Sequence, residues 1–128
     1  MKFFTIAELC KSTTADRLGI NNRCRQEHVT ALTALVDNVL DPLREWWGKP
    51  ITVNSGYRCP ELNAAVKGSK TSQHMVGEAA DIDTGDRQQN KLLFEYIRKN
   101  LPYDQLIDES NFAWVHVSYR ADGNNRMQ

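Results

Sequence analysis

The clearest periodic signal in the chain runs from Gln26 to Trp47. Val29, Leu32, Val36, Val39, Leu43 and Trp46 recur there at helical spacing, and Leu35, Leu40 and Trp47 widen the stripe. A stripe of this width is a surface meant for a core. Asn21 or Asn22 can cap its start. Pro42 deletes a backbone donor and should kink the helix or split it, Gly48 ends it, and Pro50 prevents continuation. Ahead of this segment, Thr5-Ile6-Ala7-Glu8 has the capping-box form and predicts a short helix ending near Lys11-Ser12. Thr13 or Thr14 can cap a second short turn through Leu18, with Gly19 as a left-handed terminator. Phe3, Phe4, Leu9, Leu18 and Ile20 are the apolar residues with which these small elements would pack onto the main body.

Beyond Pro50 the pattern changes to short apolar runs. Ile51-Thr52-Val53-Asn54 reads as a strand turning at Ser55-Gly56, and Pro60 suits the first position of a short helix through Val66. Lys67 to Thr71 is a polar loop. Ala79 to Thr84 reads as a second strand, and Asp86 can cap a helix from Arg87 to Asn100 with Leu92, Leu93, Tyr96 and Ile97 facing inward. Pro102 stops that helix. Tyr103 to Glu109 and Trp114 to Tyr119 are strand-like, with Ser110 to Ala113 as a hairpin-length loop between them. The tail from Arg120 is polar and is expected to fray. Helices first and strands afterwards, interrupted by one helix, predict an α+β fold: a small, mainly antiparallel sheet with helices packed on one side. No repeat or linker divides residues 1–128, which read as a single domain.

Charge narrows the functional classes. Sixteen Lys and Arg balance sixteen Asp and Glu, for a formal net charge of +0. The chain therefore lacks the field and the basic stripe expected of a nucleic-acid binder. No run approaches the roughly twenty apolar residues of a membrane span. Met1 to Ile6 resembles the start of a signal peptide, but Glu8 ends the apolar run too early. The expectation is synthesis in the cytoplasm without a signal peptide, with access to anything outside depending on lysis or an accessory route. Cys10, Cys24 and Cys59 contain no CxxC pair, which excludes a full disulfide framework and leaves one isolated disulfide open, with reduced thiols as the expectation. A monomer is the default.

The candidate chemistry lies in Ser72-Gln73-His74-Met75-Val76-Gly77-Glu78-Ala79-Ala80-Asp81 and in Trp114-Val115-His116-Val117-Ser118-Tyr119. Gly77 lets the backbone turn between His74 and Asp81, and Ala79-Ala80 permits close packing at the strand start. Asp81 and Asp83 project to one face of their strand. His116 shares a face with Trp114 and Ser118, while Val115 and Val117 face the other way. If the two strands pair, His74, Asp81 and His116 converge as two imidazoles and a carboxylate, a three-ligand zinc set with one position left for water. His28 has no partner pattern and reads as a surface residue.

Ser72-x-His74-x-x-Gly77-x-Ala79-x-Asp81 followed by Trp114-Val115-His116-Val117-Ser118 resembles the zinc peptidases of the M15 family. These are D-Ala-D-Ala carboxypeptidases and dipeptidases and phage L-alanyl-D-glutamate endopeptidases, with the hedgehog signalling domain as a distant relative. Ser55-Gly56-Tyr57-Arg58 with Asn63, and Asp41-Pro42-Leu43-Arg44 in the N-terminal part, extend the likeness to small phage-type members. The resemblance implies a hedgehog/D-Ala-D-Ala-peptidase-like fold and Zn2+ held by His74, Asp81 and His116. It also implies that Arg58 binds a substrate carboxylate or carbonyl, with Ser72 and Gln73 as further substrate-binding residues. The implied substrates are peptidoglycan stem peptides, cut in the D,D-carboxypeptidase or the endolysin manner.

One departure stands out. Many members place a glutamate three residues before the last histidine, where this chain has Ala113. Glu109, at the end of the preceding strand, is the substitute general base, and Asp108 should point to the other face. The missing glutamate keeps a second reading in view, a non-catalytic zinc-stabilised domain that binds cell wall or serves a structural role.

Overall fold

The computed structural model describes residues 1–128. Helices α1 (Ile6–Cys10) and α2 (Thr13–Leu18) precede α3 (Gln26–Leu35), a π turn (Val36–Leu40) and α4 (Asp41–Trp47). Strand β1 (Thr52–Ser55), helix α5 (Pro60–Ala65) and a 3-10 turn (Gln73–Val76) lead into β2 (Ala79–Asp83). Helix α6 (Arg87–Asn100) is followed by β3 (Leu106–Glu109) and β4 (Trp114–Ser118). The sheet order is β1-β2-β4-β3, and every neighbouring pair is antiparallel. No helix is long and apolar enough to cross a membrane.

The alternation read from the strands sets the two faces of this sheet. Ala80, Ile82, Leu106, Val115 and Val117 are buried with Leu32, Leu35, Val36, Val39, Leu40, Leu43, Leu93 and Ile97 in a core cluster of 18 residues. Each such Leu or Ile contributes roughly 1.5–3 kcal/mol by leaving water, so the apolar stripe of the long helical segment is what fastens the sheet. The opposite face carries Asp81 and His116, which stand opposite each other in the β2–β4 register.

Pro42 splits the long helix. Its ring cannot accept a normal helical turn beneath it, so the chain widens by one residue. The N–H of Asp41 reaches back to the carbonyl of Val36, closing the π turn. Proline then sits in the first turn of α4, where its missing donor costs nothing.

Five expectations need correction. Ser12, not Thr13 or Thr14, caps α2 by accepting from the Ala15 N–H at 3.1 Å. Neither Asn21 nor Asn22 caps α3, whose N-cap is Arg25. The ring Nδ1 of His28 accepts from the Arg25 N–H at 3.0 Å, and the imidazole stacks on Tyr57 at 4.3 Å between centroids, so His28 is a structural residue with two partners. Cys10 and Cys24 are joined in a disulfide, leaving Cys59 as the free thiol. The left-handed Gly19 (φ 69°) ends α2 and helps reverse the chain, and the Cys10 and Cys24 Cα atoms stand 6.6 Å apart.

The tail is the fifth. It is docked along β3, with Leu106 N donating to Gln128 O at 2.8 Å, Met127 N to Tyr103 O at 3.2 Å and Gln128 N to Asp104 O at 2.9 Å. Its polar composition looks like fraying only until its partner is seen. Asp104 is buried and accepts from Arg126 N at 2.9 Å, Arg126 Nε at 3.0 Å and Arg126 Nη2 at 2.7 Å.

Candidate metal centre

Three segments build the site. The 3-10 turn ahead of β2 carries His74, and Gly77 closes it at φ 79°, a conformation that side-chain-bearing residues avoid. A Cβ on Gly77 would also stand 2.8 Å from the carbonyl oxygen of His28. Asp81 sits in the middle of β2, and His116 faces it from β4.

His74 Nε2 lies 3.3 Å from Asp81 Oδ1, and His116 Nδ1 lies 3.0 Å from the same oxygen. Donor atoms of the three residues all fall within 4.8 Å of one another. Ligands held about 2.0–2.2 Å from a tetrahedral zinc stand roughly 3.3–3.6 Å apart, which is close to this spacing.

A second observation bears on the fit. His74 Nδ1 is 2.7 Å from the carbonyl of Gly56. A carbonyl only accepts, so Nδ1 carries the proton, and in the neutral ring Nε2 is left with a lone pair aimed at an ionised carboxylate oxygen. Such a juxtaposition is repulsive unless a positive centre sits between the two atoms. A carbonyl that fixes the tautomer of a ligating imidazole is the usual outer support of a metal site. Burial pushes the Asp81 carboxyl up, but the adjoining His116 and His74 rings outweigh it and hold it well below the usual carboxylate range. The residues present therefore suit a divalent ion.

Arg58 lies beside this cluster. Its Nη2 is 3.3 Å from Asp81 Oδ2, its Nε donates to Ser55 Oγ at 2.9 Å and its Nη1 to Asn63 Oδ1 at 3.3 Å. Burial lowers the pKa of its guanidinium, with Asp81 partly opposing. Three of its five donors thus hold the chain's own atoms, and two are left over. Ser72 accepts from the His74 N–H at 3.1 Å, so its hydroxyl caps the ligand-bearing turn.

In front of the triad lies an open cleft of about 480 Å³ that includes Ser72, Gln73, Ile107, Glu109 and His116 among its walls. Glu109 stands opposite Trp114, two residues from His116 along the hairpin and on the same face. Asp108, paired with Val115, points to the other face. The turn that carries Glu109 has three successive left-handed residues, Ser110 (φ 47°), Asn111 (φ 57°) and Phe112 (φ 64°). None is glycine, so the conformation is costly and needs support. Helix α6 provides it. Arg87 donates to the carbonyls of Ser110 and Asn111 at 2.6 and 2.8 Å, and Asn90 donates to those of Phe112 and Ala113 at 2.8 and 3.2 Å.

Two features of the site had no sequence signal. Gln73 donates to Asp104 Oδ2 at 2.9 Å and to Glu78 Oε1 at 3.1 Å, which couples the ligand turn to the tail. Arg120 and Arg126 then form part of the cleft wall. A lone aspartate after Pro102-Tyr103 and two arginines in a polar tail match no motif. A larger hollow of about 710 Å³ lies beside Cys24, His28 and Tyr57, and none of the triad lines it.

An α+β frame thus carries a His-Asp-His cluster able to hold a metal, with His116 in the wall of an open cleft. Residues 2–118 match the family model described as Peptidase M15, and the chain belongs to that family. Zn2+ is the ion that its two-imidazole, one-carboxylate donor set suits. Over 76 residues the chain is 38% identical to the zinc D-Ala-D-Ala carboxypeptidase of Streptomyces albus G, an alignment covering 52% of this chain and 30% of that protein. The chain thus spans less than a third of the length of that relative.

Proposed function

We propose that the protein hydrolyses peptide bonds in peptidoglycan stem peptides, with His74, Asp81 and His116 as the zinc ligands and Glu109 as the general base. The observation that carries this reading is the shared cleft, whose walls include both Glu109 and His116, one member of the His74-Asp81-His116 cluster. The D-Ala-D-Ala carboxypeptidase relative supports the substrate class.

A bound zinc ion supplies Lewis acidity and brings the pKa of a water toward about 7. Glu109 is the residue that would accept a proton from the attacking water and return it to the departing amine. Asp81 stays ionised, and Gly56 keeps the His74 ring in the tautomer whose Nε2 is free to ligate. Arg58 steadies Asp81 and presents its two remaining donors to a substrate carbonyl or carboxylate. Ser72 holds the ligand turn at the cleft edge, and Gln73 ties that turn to Asp104. D,D-carboxypeptidase and endopeptidase or endolysin-type cutting both fit this machinery, and the protein works as a monomer in this reading.

Purified protein should contain about one zinc per chain and release new amines from muropeptides in a chelator-sensitive way. Mass spectrometry of the new termini identifies the bond. His116→Ala should lose both metal and activity, and full activity in that variant would sink the ligand assignment. Ala113, at the position where many relatives have glutamate, favours one alternative: a zinc-stabilised cell-wall-binding or structural domain without turnover. Glu109→Gln separates the two readings. Hydrolysis should fall by roughly 10²- to 10⁴-fold with zinc retained. A wild-type protein that binds cell-wall fragments and releases no amine would establish the binding module instead.

A further inference from the structure

Charge is unevenly placed around the cleft. Glu109 lies at one end of the β3–β4 hairpin, and Arg120 and Arg126 enter the wall from the tail. Both arginines converge on one carboxylate, that of Asp104, and they are not equivalent. Arg126 grips both of its oxygens through Nε and Nη2. Gln73 takes a further position on Oδ2. Arg120 is left outside this arrangement. Its Nε comes no nearer than 3.4 Å to Asp104 Oδ2, and its guanidinium donates no hydrogen bond to any protein group. Glu78, the other nearby carboxylate, accepts from Gln73 at 3.1 Å.

The backbone nevertheless fixes where Arg120 sits. Tyr119 N donates to Glu78 O at 2.9 Å, Arg120 N to Asn125 Oδ1 at 2.8 Å and Gly123 N to Arg120 O at 3.1 Å. A planar, permanently charged fork on a pinned backbone, 35% exposed and without its own acceptor, is arranged for a carboxylate brought from outside. The protein's other candidate for that role, Arg58, has three of its donors engaged beside the triad.

We propose that Arg120 recognises a free carboxylate of the bound peptide and so determines which substrates the cleft accepts, with Asp104 and Arg126 as the residues that position it. Arg120 lies four residues beyond His116, so their Cα atoms are at most about 13 Å apart along extended chain. The recognised carboxylate therefore sits within a few residues of the reacting carbonyl. Two sources offer it: the C-terminal α-carboxylate of the peptide, or the free carboxylate of an internal glutamate. The family match stops at residue 118, so this contact belongs to the part of the chain beyond it.

The inference rests on the peptidase reading for the identity of the peptide, but its test does not require turnover. Three stem peptides are compared on the zinc-loaded full chain: one with both carboxylates free, one amidated at the C-terminus, and one amidated at the internal glutamate. Binding is measured by calorimetry, and the Arg120 Nε–H resonance is followed by NMR. One of the two amidations should weaken binding by about 10- to 100-fold and abolish the Arg120 shift, and the amidation that does so names the source. Arg120→Ala should bind all three peptides alike, and Arg120→Lys should restore part of the preference. Where hydrolysis is measured, KM should carry the change and kcat little of it. Equal binding of the three peptides by wild type, or an undiminished preference in Arg120→Ala, would overturn the proposal. The NMR arm uses wild-type protein alone, so a variant that folds poorly does not remove the test. If wild type hydrolyses none of the peptides, the peptidase reading fails while the binding arm still decides the role of Arg120.

Discussion

The N-terminal segment and the C-terminal tail flank the same site and support it by opposite means. The N-terminal segment acts from behind, through backbone packing and a covalent link. Leu9 O accepts from the Tyr57 N–H at 2.8 Å. Asn22, inside the loop closed by Cys10–Cys24, donates to the carbonyls of Cys10 and Tyr57 at 2.9 Å each and accepts from Cys59 N at 2.7 Å. These contacts clamp the stretch that presents the Gly56 carbonyl to His74 and the Arg58 guanidinium to Asp81. The tail acts from the front, through charge, by way of Asp104, Gln73 and its own arginines. One region braces the residues around the His-Asp-His cluster, and the other forms part of the cleft wall. In the proposed reading, support for the metal and selection of substrate are separable.

That separation can be broken most forcefully at Gly56. A Cβ there would stand 2.1 Å from the Leu9 carbonyl oxygen, an approach no side chain tolerates. Gly56→Ala should therefore cost about 3 kcal/mol or more in a denaturant melt. It should also weaken zinc binding in a chelator competition, because the carbonyl that orients His74 must move. Unchanged zinc affinity in a destabilised variant would show that the rear brace is not coupled to the ligands.

A smaller effect is expected from the disulfide. Replacing Cys10 and Cys24 together by serine releases a loop with a sequence separation of 14 and should lower stability by about 2–3 kcal/mol. The peptide preference assigned to Arg120 should survive, since the tail makes none of its contacts with that loop. Loss of that preference would erase the contrast between the two regions.

The mildest test is acid. The Arg126 hydrogen bonds hold the Asp104 carboxyl well below the usual carboxylate range, against the opposing effect of burial and with help from Gln73 and Arg120. A depressed folded-state pKa adds stability that is complete above the unfolded value near 3.9 and is lost as pH falls through the folded value. Tail undocking should therefore begin only below about pH 4 and finish well beneath it. Amide exchange at Arg126 to Gln128 would follow the process, and undocking near neutral pH would contradict the Asp104 anchor.

Much of this was legible in the residues. Period and punctuation located the long apolar helical segment, α6 with its Asp86 cap (accepting from Gln89 N at 2.9 Å), and the alternation that brings Asp81 and His116 to one face. Local chemistry suffices for such features. What escaped depends on contacts distant in sequence. The cap of α3 was assigned to an asparagine because Asn22 has the right side chain, but that amide bridges two other segments. The tail was read as loose because its polar groups gave no hint of a buried aspartate waiting 22 residues upstream. The thiols were read as reduced because spacing alone cannot say that α2 reverses the chain between them. Pro42 was anticipated as a kink or a break, and a π turn is the form that break takes.

Asn90 gives the β3–β4 turn a chemical lifetime. Its side-chain oxygen accepts from Thr84 N and Thr84 Oγ1 at 2.8 Å each. Its nitrogen faces three oxygens, those of Asp83, Phe112 and Ala113, at 2.9, 2.8 and 3.2 Å. Spontaneous deamidation would exchange that nitrogen for an oxygen and set a new negative charge against all three. The clamp on a strained turn would become a source of repulsion, and Glu109 would be released from its place at the cleft. An ageing event at one buried amide outside the proposed ligand set would thus reach the proposed base without altering any group that touches substrate.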